Sequence, residues 1–217
     1  MTLEGVMKSP NGQPAMYEFR NANSEDHEAY GQLDKPQFTW AAAWYQYALY
    51  RLFGVRENEW NIAVEPFVPE NTQQIEYGLT VGGNRAQVLV RGAGPTIRRL
   101  LIDGRPSSSA VLPGSGMAAT TIEVELGEIE APYLASTEGI LVESEYNRRS
   151  NSLLVVLKAF AGHLNKTEVV SAFRPVAVVH NRSELSSGWS VESAGEVYRT
   201  QIQFAHTSLL DTLVVQF

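Results

Sequence analysis

A chain of 217 residues, 44% hydrophobic and 19% charged, can bury one sizeable core or two small ones, so compositional disorder is excluded. The formal charge of -7 and the absence of any basic patch argue against a nucleic-acid surface, since Arg98-Arg99 and Arg148-Arg149 are isolated pairs. Without cysteine there are neither disulfides nor thiolate metal sites, and no run of the chain reaches the length of a membrane-spanning helix.

Met1 to Leu33 is polar and rich in turn formers, among them Ser9-Pro10-Asn11-Gly12 and Gly31, which predicts an irregular arm or loop. Glu4 and Lys8 stand where a secretory signal needs an unbroken apolar run, so the expected location is cytoplasmic. Within the arm, Glu25, Asp26 and Glu28 surround His27, and spacing alone makes this an exposed acidic loop.

Gln37 to Phe53 predicts an aromatic-rich helix of about four turns, with Thr39 as N-cap and Gly54 as the left-handed residue that ends it. Trp40, Trp44, Ala48 and Leu52 form one stripe; Ala41, Tyr45, Leu49 and Phe53 form a second; Ala43, Tyr47 and Tyr50 form a third. Only Gln46 and Arg51 interrupt this surface. A helix apolar nearly all round is normally enclosed by other elements, and this one offers more apolar surface than a mostly β chain covers. From Val55 to Glu70, Pro66 and Pro69 exclude further helix and predict an extended connector pressed on an apolar surface.

From Gln73 the hydrophobic period becomes two. Gln74 to Val81, a turn at Gly82-Gly83-Asn84, and Ala86 to Arg91 read as strand, tight turn, strand. Ile97 to Ile102 follows a turn at Gly92 to Pro95 and runs into the hairpin signal Asp103-Gly104. Further strands are expected at 120–126, 140–146, 153–159, 168–173, 176–179, 196–204 and 212–217. The fold class is therefore mainly β, an antiparallel β-sandwich preceded by an irregular arm and one helix. The expected division is 1–70 for arm, helix and connector and 71–217 for the β region, with Gly127 to Glu138 as the place where the latter would split into two small subdomains.

Several familiar chemistries fail on context. Gly92-Ala93-Gly94 is followed by Pro95 and a β pattern, so it has no helix N-terminus to hold a phosphate. Gly114-Ser115-Gly116 lacks the strand-to-helix setting of a nucleophile elbow. His27, His163, His180 and His206 are far apart in sequence without ligand spacing, so no metal and no cofactor are expected, and His163 and His180 read as surface histidines beside strands. The sequons at Asn165 and Asn181 are read as chance.

The run Glu28-Ala29-Tyr30-Gly31 and the helix start Phe38-Thr39-Trp40-Ala41 resemble the last part of an (α/α)6-barrel glycoside hydrolase or phosphorylase, as in the trehalase and processing-α-glucosidase groups. Leu52-Phe53-Gly54-Val55-Arg56 and the connector Val64-Glu65-Pro66-Phe67-Val68-Pro69 are similar to the cellobiose-phosphorylase and debranching-glucosidase groups, where the closing helix leads into a C-terminal β domain. The resemblance spans Glu28 to about Pro113. It implies that Glu28 is the catalytic base of an inverting pair, which needs two carboxylates about 6.5–9.5 Å apart. It also implies substrate contacts from His27, Tyr30, Trp40 and Trp44. Trp40 and Ala41 stand where phosphorylases of this type place small and hydroxyl residues, which disfavours phosphorolysis.

The acid partner would normally come from an earlier barrel loop. The chain therefore reads as a C-terminal part or subunit of a carbohydrate-active enzyme, inactive alone and completed by a helical-barrel partner, with an oligosaccharide as substrate. The alternative is a non-catalytic interaction or carbohydrate-binding module that pairs with a second copy through its aromatic helix. In that case Trp60, Trp189, Tyr133 and Tyr198 are the candidate sugar-stacking residues.

Overall fold

The computed structural model describes residues 17–20, 33–36, 53–58, 60–66, 68, 74–81, 84–113 and 121–217. They fall in two units, Met1–Leu52 and Phe53–Phe217. In the first, β1 (Tyr17–Arg20) pairs antiparallel with β2 (Leu33–Pro36), where an irregular arm was expected. Tyr17-Glu18-Phe19-Arg20 alternates ring and charge, a period of two inside a polar stretch. The predicted helix lies outside the described residues up to Leu52. Phe53 and Gly54 form a turn, and Gly54 has φ 74, the left-handed conformation its position demanded. A Cβ there would sit 1.8 Å from the Glu65 carbonyl oxygen, so only glycine fits.

The second unit is all β, with no helix among the described residues and therefore none long and apolar enough to cross a membrane. Two strands lie inside the expected connector, β3 (Val55–Glu57) and β4 (Asn61–Val64), and with β9 (Val111–Pro113) they form a three-stranded antiparallel sheet in the order β3-β4-β9. Every residue of β4 is buried, which removes the alternation that marks a strand in sequence.

β5 (Gln74–Val81) and β6 (Asn84–Gly92) make the expected hairpin, and Val81 pairs with Asn84 across a two-residue loop. β7 (Ile97–Ile102) turns into β8 (Arg105–Pro106) through Asp103 and Gly104, at φ 48 and 76. Two positive φ values are what a type I′ turn requires of an Asp-Gly pair. β10 (Thr121–Leu126) then inserts between them, giving the order β5-β6-β10-β7-β8. It is antiparallel to β7 but parallel to β6, so this sheet is mixed rather than antiparallel as the sequence predicted.

The segment read as a joint contains a strand, β11 (Tyr133–Thr137). It pairs with β14 (Leu164–Ser171), which pairs with β18 (Val197–Ala205), which pairs with β17 (Trp189–Ala194). A second antiparallel sheet follows the order β12 (Ile140–Asn147), β13 (Ser152–Lys158), β19 (Leu210–Gln216), β15 (Ala177–His180) and β16 (Ser183–Glu184). Leu134, Val169, Ile202 and Phe204 of the first sheet share one core with Leu153, Val155, Leu157, Val178, Leu213 and Val215 of the second. Ala63 and Val111 of the three-stranded sheet join the same core. Each such aliphatic side chain contributes about 1.5–3 kcal/mol by burial, so this core dominates the stability of the unit.

Asn61 ties the connector to that core. Its Nδ2 donates to the Gly139 carbonyl at 2.8 Å, and its Oδ1 accepts from the Leu141 amide at 3.1 Å. The buried amide thus satisfies the backbone of the β11–β12 turn.

Candidate functional site

A polar cluster closes one end of the core shared by β11, β14, β18 and their facing sheet. The inward row of β14 begins with Asn165 and Thr167 before turning apolar at Val169. On β18 the inward row ends Ile202, Phe204 and then His206, and on β15 and β19 it ends with His180 and Asp211. The ordinary period of two therefore delivers these polar groups to one place.

Asn165 Oδ1 accepts from Thr137 Oγ1 at 3.2 Å and from the Glu138 and Gly139 amides at 3.3 and 3.4 Å. Its amide nitrogen is then left to face His206 Nε2 at 3.2 Å, which makes Nε2 the acceptor and places the ring proton on Nδ1. Nδ1 lies 3.5 Å from Asp211 Oδ2 without forming a hydrogen bond. Burial holds the imidazole below its ordinary pKa, against the opposing pull of Asp211.

Asp211 Oδ2 meets His180 Nε2 at 2.8 Å and the Thr207 amide at 2.8 Å, while Oδ1 accepts from the Ser208 amide at 3.1 Å and from Ser208 Oγ at 2.7 Å. Burial alone would raise its pKa, but these donors, with Asn181, hold the carboxyl well below the usual range. An Asp-His pair with a nearby serine invites a hydrolase reading, and the order of contacts rejects it. Ser208 bonds directly to the carboxylate, whereas a nucleophile must bond to the histidine. His206 and Asp211 are 2% and 1% exposed, so no substrate reaches them. The cluster ties the Thr207–Ser208 loop to β15 and β19.

His180 is thus a core residue rather than the surface histidine expected, and His163, His180 and His206 are neighbours despite their spacing. Among the described residues no group of His, Asp and Glu is placed to hold a metal ion.

Among the described residues, one open concavity is a cleft of about 290 Å³ between β7 and β12, lined at its base by the buried Leu100 and Tyr133. Arg98 reaches Glu130 at 2.7 Å and Glu125 at 3.1 Å along one wall. On the other, Ser144 Oγ donates to the Ser108 carbonyl at 3.2 Å, and the Tyr146 hydroxyl donates to Asn151 Oδ1 at 2.7 Å. Glu145 and Arg148 complete the rim. Tyr133 accepts from the Ile97 amide at 3.3 Å, and burial pushes its phenol up to about 12, so it is a neutral structural group.

Glu28, His27, Tyr30, Trp40 and Trp44, the residues the resemblance singled out, lie outside the described residues. Of the stacking candidates, Tyr133 is buried, and Trp189 packs on the core with its indole N–H donating to the Leu185 carbonyl at 3.1 Å. Tyr198 is half-buried on the inward face of β18, and Trp60 is 43% exposed. Tyr146 gives no sequence signal because its ring falls on the inward side of a strand end that otherwise reads polar, Glu143-Ser144-Glu145-Tyr146-Asn147. Asn165 is wholly buried, so the folded chain cannot accept a glycan at that sequon. No protein-family model matches this chain, and no curated protein or solved structure matches it significantly.

Proposed function

We propose that the chain is the C-terminal β-sandwich part of a carbohydrate-active enzyme of the helical-barrel glycoside hydrolase type. Its sandwich is non-catalytic and meets an oligosaccharide in the cleft between β7 and β12. The carbohydrate assignment draws on the resemblance of the Glu28 to Pro113 segment, and the observation that supports it is the make-up of the cleft. Serine hydroxyls at 108 and 144, the Arg98–Glu130 pair and the rim charges of Glu145 and Arg148 provide donors and acceptors in the mixture that sugar hydroxyls use. Tyr146 adds a half-buried ring beside them. In this reading the enzyme's acid-base pair is completed by a barrel partner, with Glu28 as the base.

The test is calorimetric titration of the full chain with a panel of cello- and malto-oligosaccharides, repeated with Tyr146→Ala after its fold has been checked by circular dichroism. Saturable binding that the substitution abolishes is expected. Absence of binding across the panel, or binding unchanged in a folded Tyr146→Ala protein, removes the cleft from the proposal.

A further inference from the structure

The two large sheets of the second unit turn very different outer faces away from their common core. Residues directly paired across strands share a face, so the register gives each outer row. On the sheet containing β14 and β18, the rows read Lys166–Gln203 and Glu168–Gln201–Ser190, the ordinary polar face of an antiparallel sheet. On the other sheet one outer row, from edge to edge, is Glu145–Leu154–Val214–Val179–Glu184. The next is Glu143–Val156–Thr212.

Away from His180 and Asp211 the inward rows of these same strands are apolar as well, so β13 carries an unbroken apolar run from Leu153 to Leu157 and β19 a shorter one from Leu213 to Val215. Continuous apolar runs belong to sheets covered on both faces. Leu154, Val156, Val179 and Val214 are half-buried, while the flanking Glu143, Glu145 and Glu184 are exposed.

We propose that this outer face docks an amphipathic helix of a partner protein, one whose apolar stripe is flanked on both sides by lysine or arginine. Dimensions support the choice. The Glu145 and Glu184 strands are four strand spacings apart, about 19 Å, and a helix with its side chains is about 10–12 Å across. The helix lies on the three central strands, and its long cationic side chains reach outward to the carboxylates.

Charge decides against other occupants. A second copy stacked face to face would bring Glu143, Glu145 and Glu184 against their own kind, and an anionic lipid surface would be repelled by the same three carboxylates. The cations nearest the face lie at its two ends, not along its flanks: Lys158 and Arg182 where β13 finishes and β15 turns into β16, and Arg148, Arg149 and Arg174 at the β12–β13 turn and before β15. The proposal shares Glu145 with the cleft rim, but Glu184 stands on β16 at the opposite edge of the sheet, so Glu184→Lys alone separates helix docking from any role of the cleft.

The probe is a synthetic 18-residue helical peptide with leucine at positions i, i+3, i+4 and i+7, flanked by lysines, and a control in which glutamates replace the lysines. Fluorescence anisotropy with the full chain should show binding of the lysine peptide alone. The double variant Glu145→Lys/Glu184→Lys should weaken it by about tenfold or more, while Glu192→Lys, on the other sheet's outer face, should leave it unchanged. Equal binding of both peptides, no binding, or indifference to the double variant overturns the proposal. So does a dimer in sedimentation equilibrium that Val214→Glu dissolves, since that would give the face to a second copy.

Discussion

His180 Nε2 stands 2.8 Å from Asp211 Oδ2, and this contact fastens β15 to the turn that starts β19. Asp211 is titrated with difficulty because its carboxylate is held by four further donors besides that histidine. Its folded pKa lies below the unfolded value, so its contribution to stability is present above about pH 4 and is lost as the pH falls toward the folded pKa. Stability of the second unit should therefore fall steeply under acid, and Asp211→Asn should flatten that fall while lowering stability at pH 7. Urea midpoints between pH 3 and 7 provide the measurement.

His206 adds an earlier phase. Burial lowers its folded pKa beneath the unfolded value of about 6.5, so the unfolded chain takes up the proton first, and stability declines as the pH drops below about 6.5. The substitution His206→Gln should cost stability at pH 8 and remove this phase from the urea series once that series is extended to pH 8. A variant curve that runs parallel to the parent's from pH 8 to 5 would show that His206 is not the group responsible.

Asn61 should be expensive to replace. Truncation to alanine leaves the Leu141 amide and the Gly139 carbonyl buried without their side-chain partner, a loss of about 2–4 kcal/mol by denaturant titration. Asn58→Ala should be milder, since Asn58 is exposed.

Two glycines offer a matched comparison. A Cβ on Gly139 would come within 2.8 Å of Asn165 Nδ2 and 3.4 Å of His206 Nε2, so Gly139→Ala should displace the amide and cost about 1–3 kcal/mol. Gly162 has φ 84 but nothing within 4 Å of a Cβ, so Gly162→Ala should cost about 1–2 kcal/mol of backbone strain alone. Only the first should alter the side-chain amide resonances of Asn165 in an NMR spectrum, since the Gly162 amide is bonded to the His206 carbonyl and its strain also reaches that histidine.

Glu28 is tested by reconstitution. On the proposed reading, adding the chain to a helical-barrel glycosidase partner should restore glycosidase activity, and Glu28→Gln should abolish that activity without weakening the complex. Activity that survives the substitution would take Glu28 out of the mechanism.

Local signals in the sequence were reliable where backbone chemistry is local. Asp103-Gly104 predicted its hairpin because such a pair readily accepts two positive φ values, and the strand expected at 120–126 is β10, Thr121–Leu126. Strands without alternation were invisible: β4 is buried throughout, and β11 is nearly so. Partnership was invisible too. Nothing in the residues of β10 says that it lies parallel to β6, because pairing direction is settled by long connections. The histidine cluster was read as scattered since its members sit at the ends of different strands, and only register brings them together.

The middle place of β10 sets an order of events. Its neighbours β6 and β7 precede it in the chain, so the centre of that sheet stays empty until the ribosome has released residue 126. Before then two hairpins wait with bare inner edges, each able to capture a stranger's strand. A polypeptide cut short of Thr121 should accordingly precipitate rather than fold into a smaller version of the same sheet.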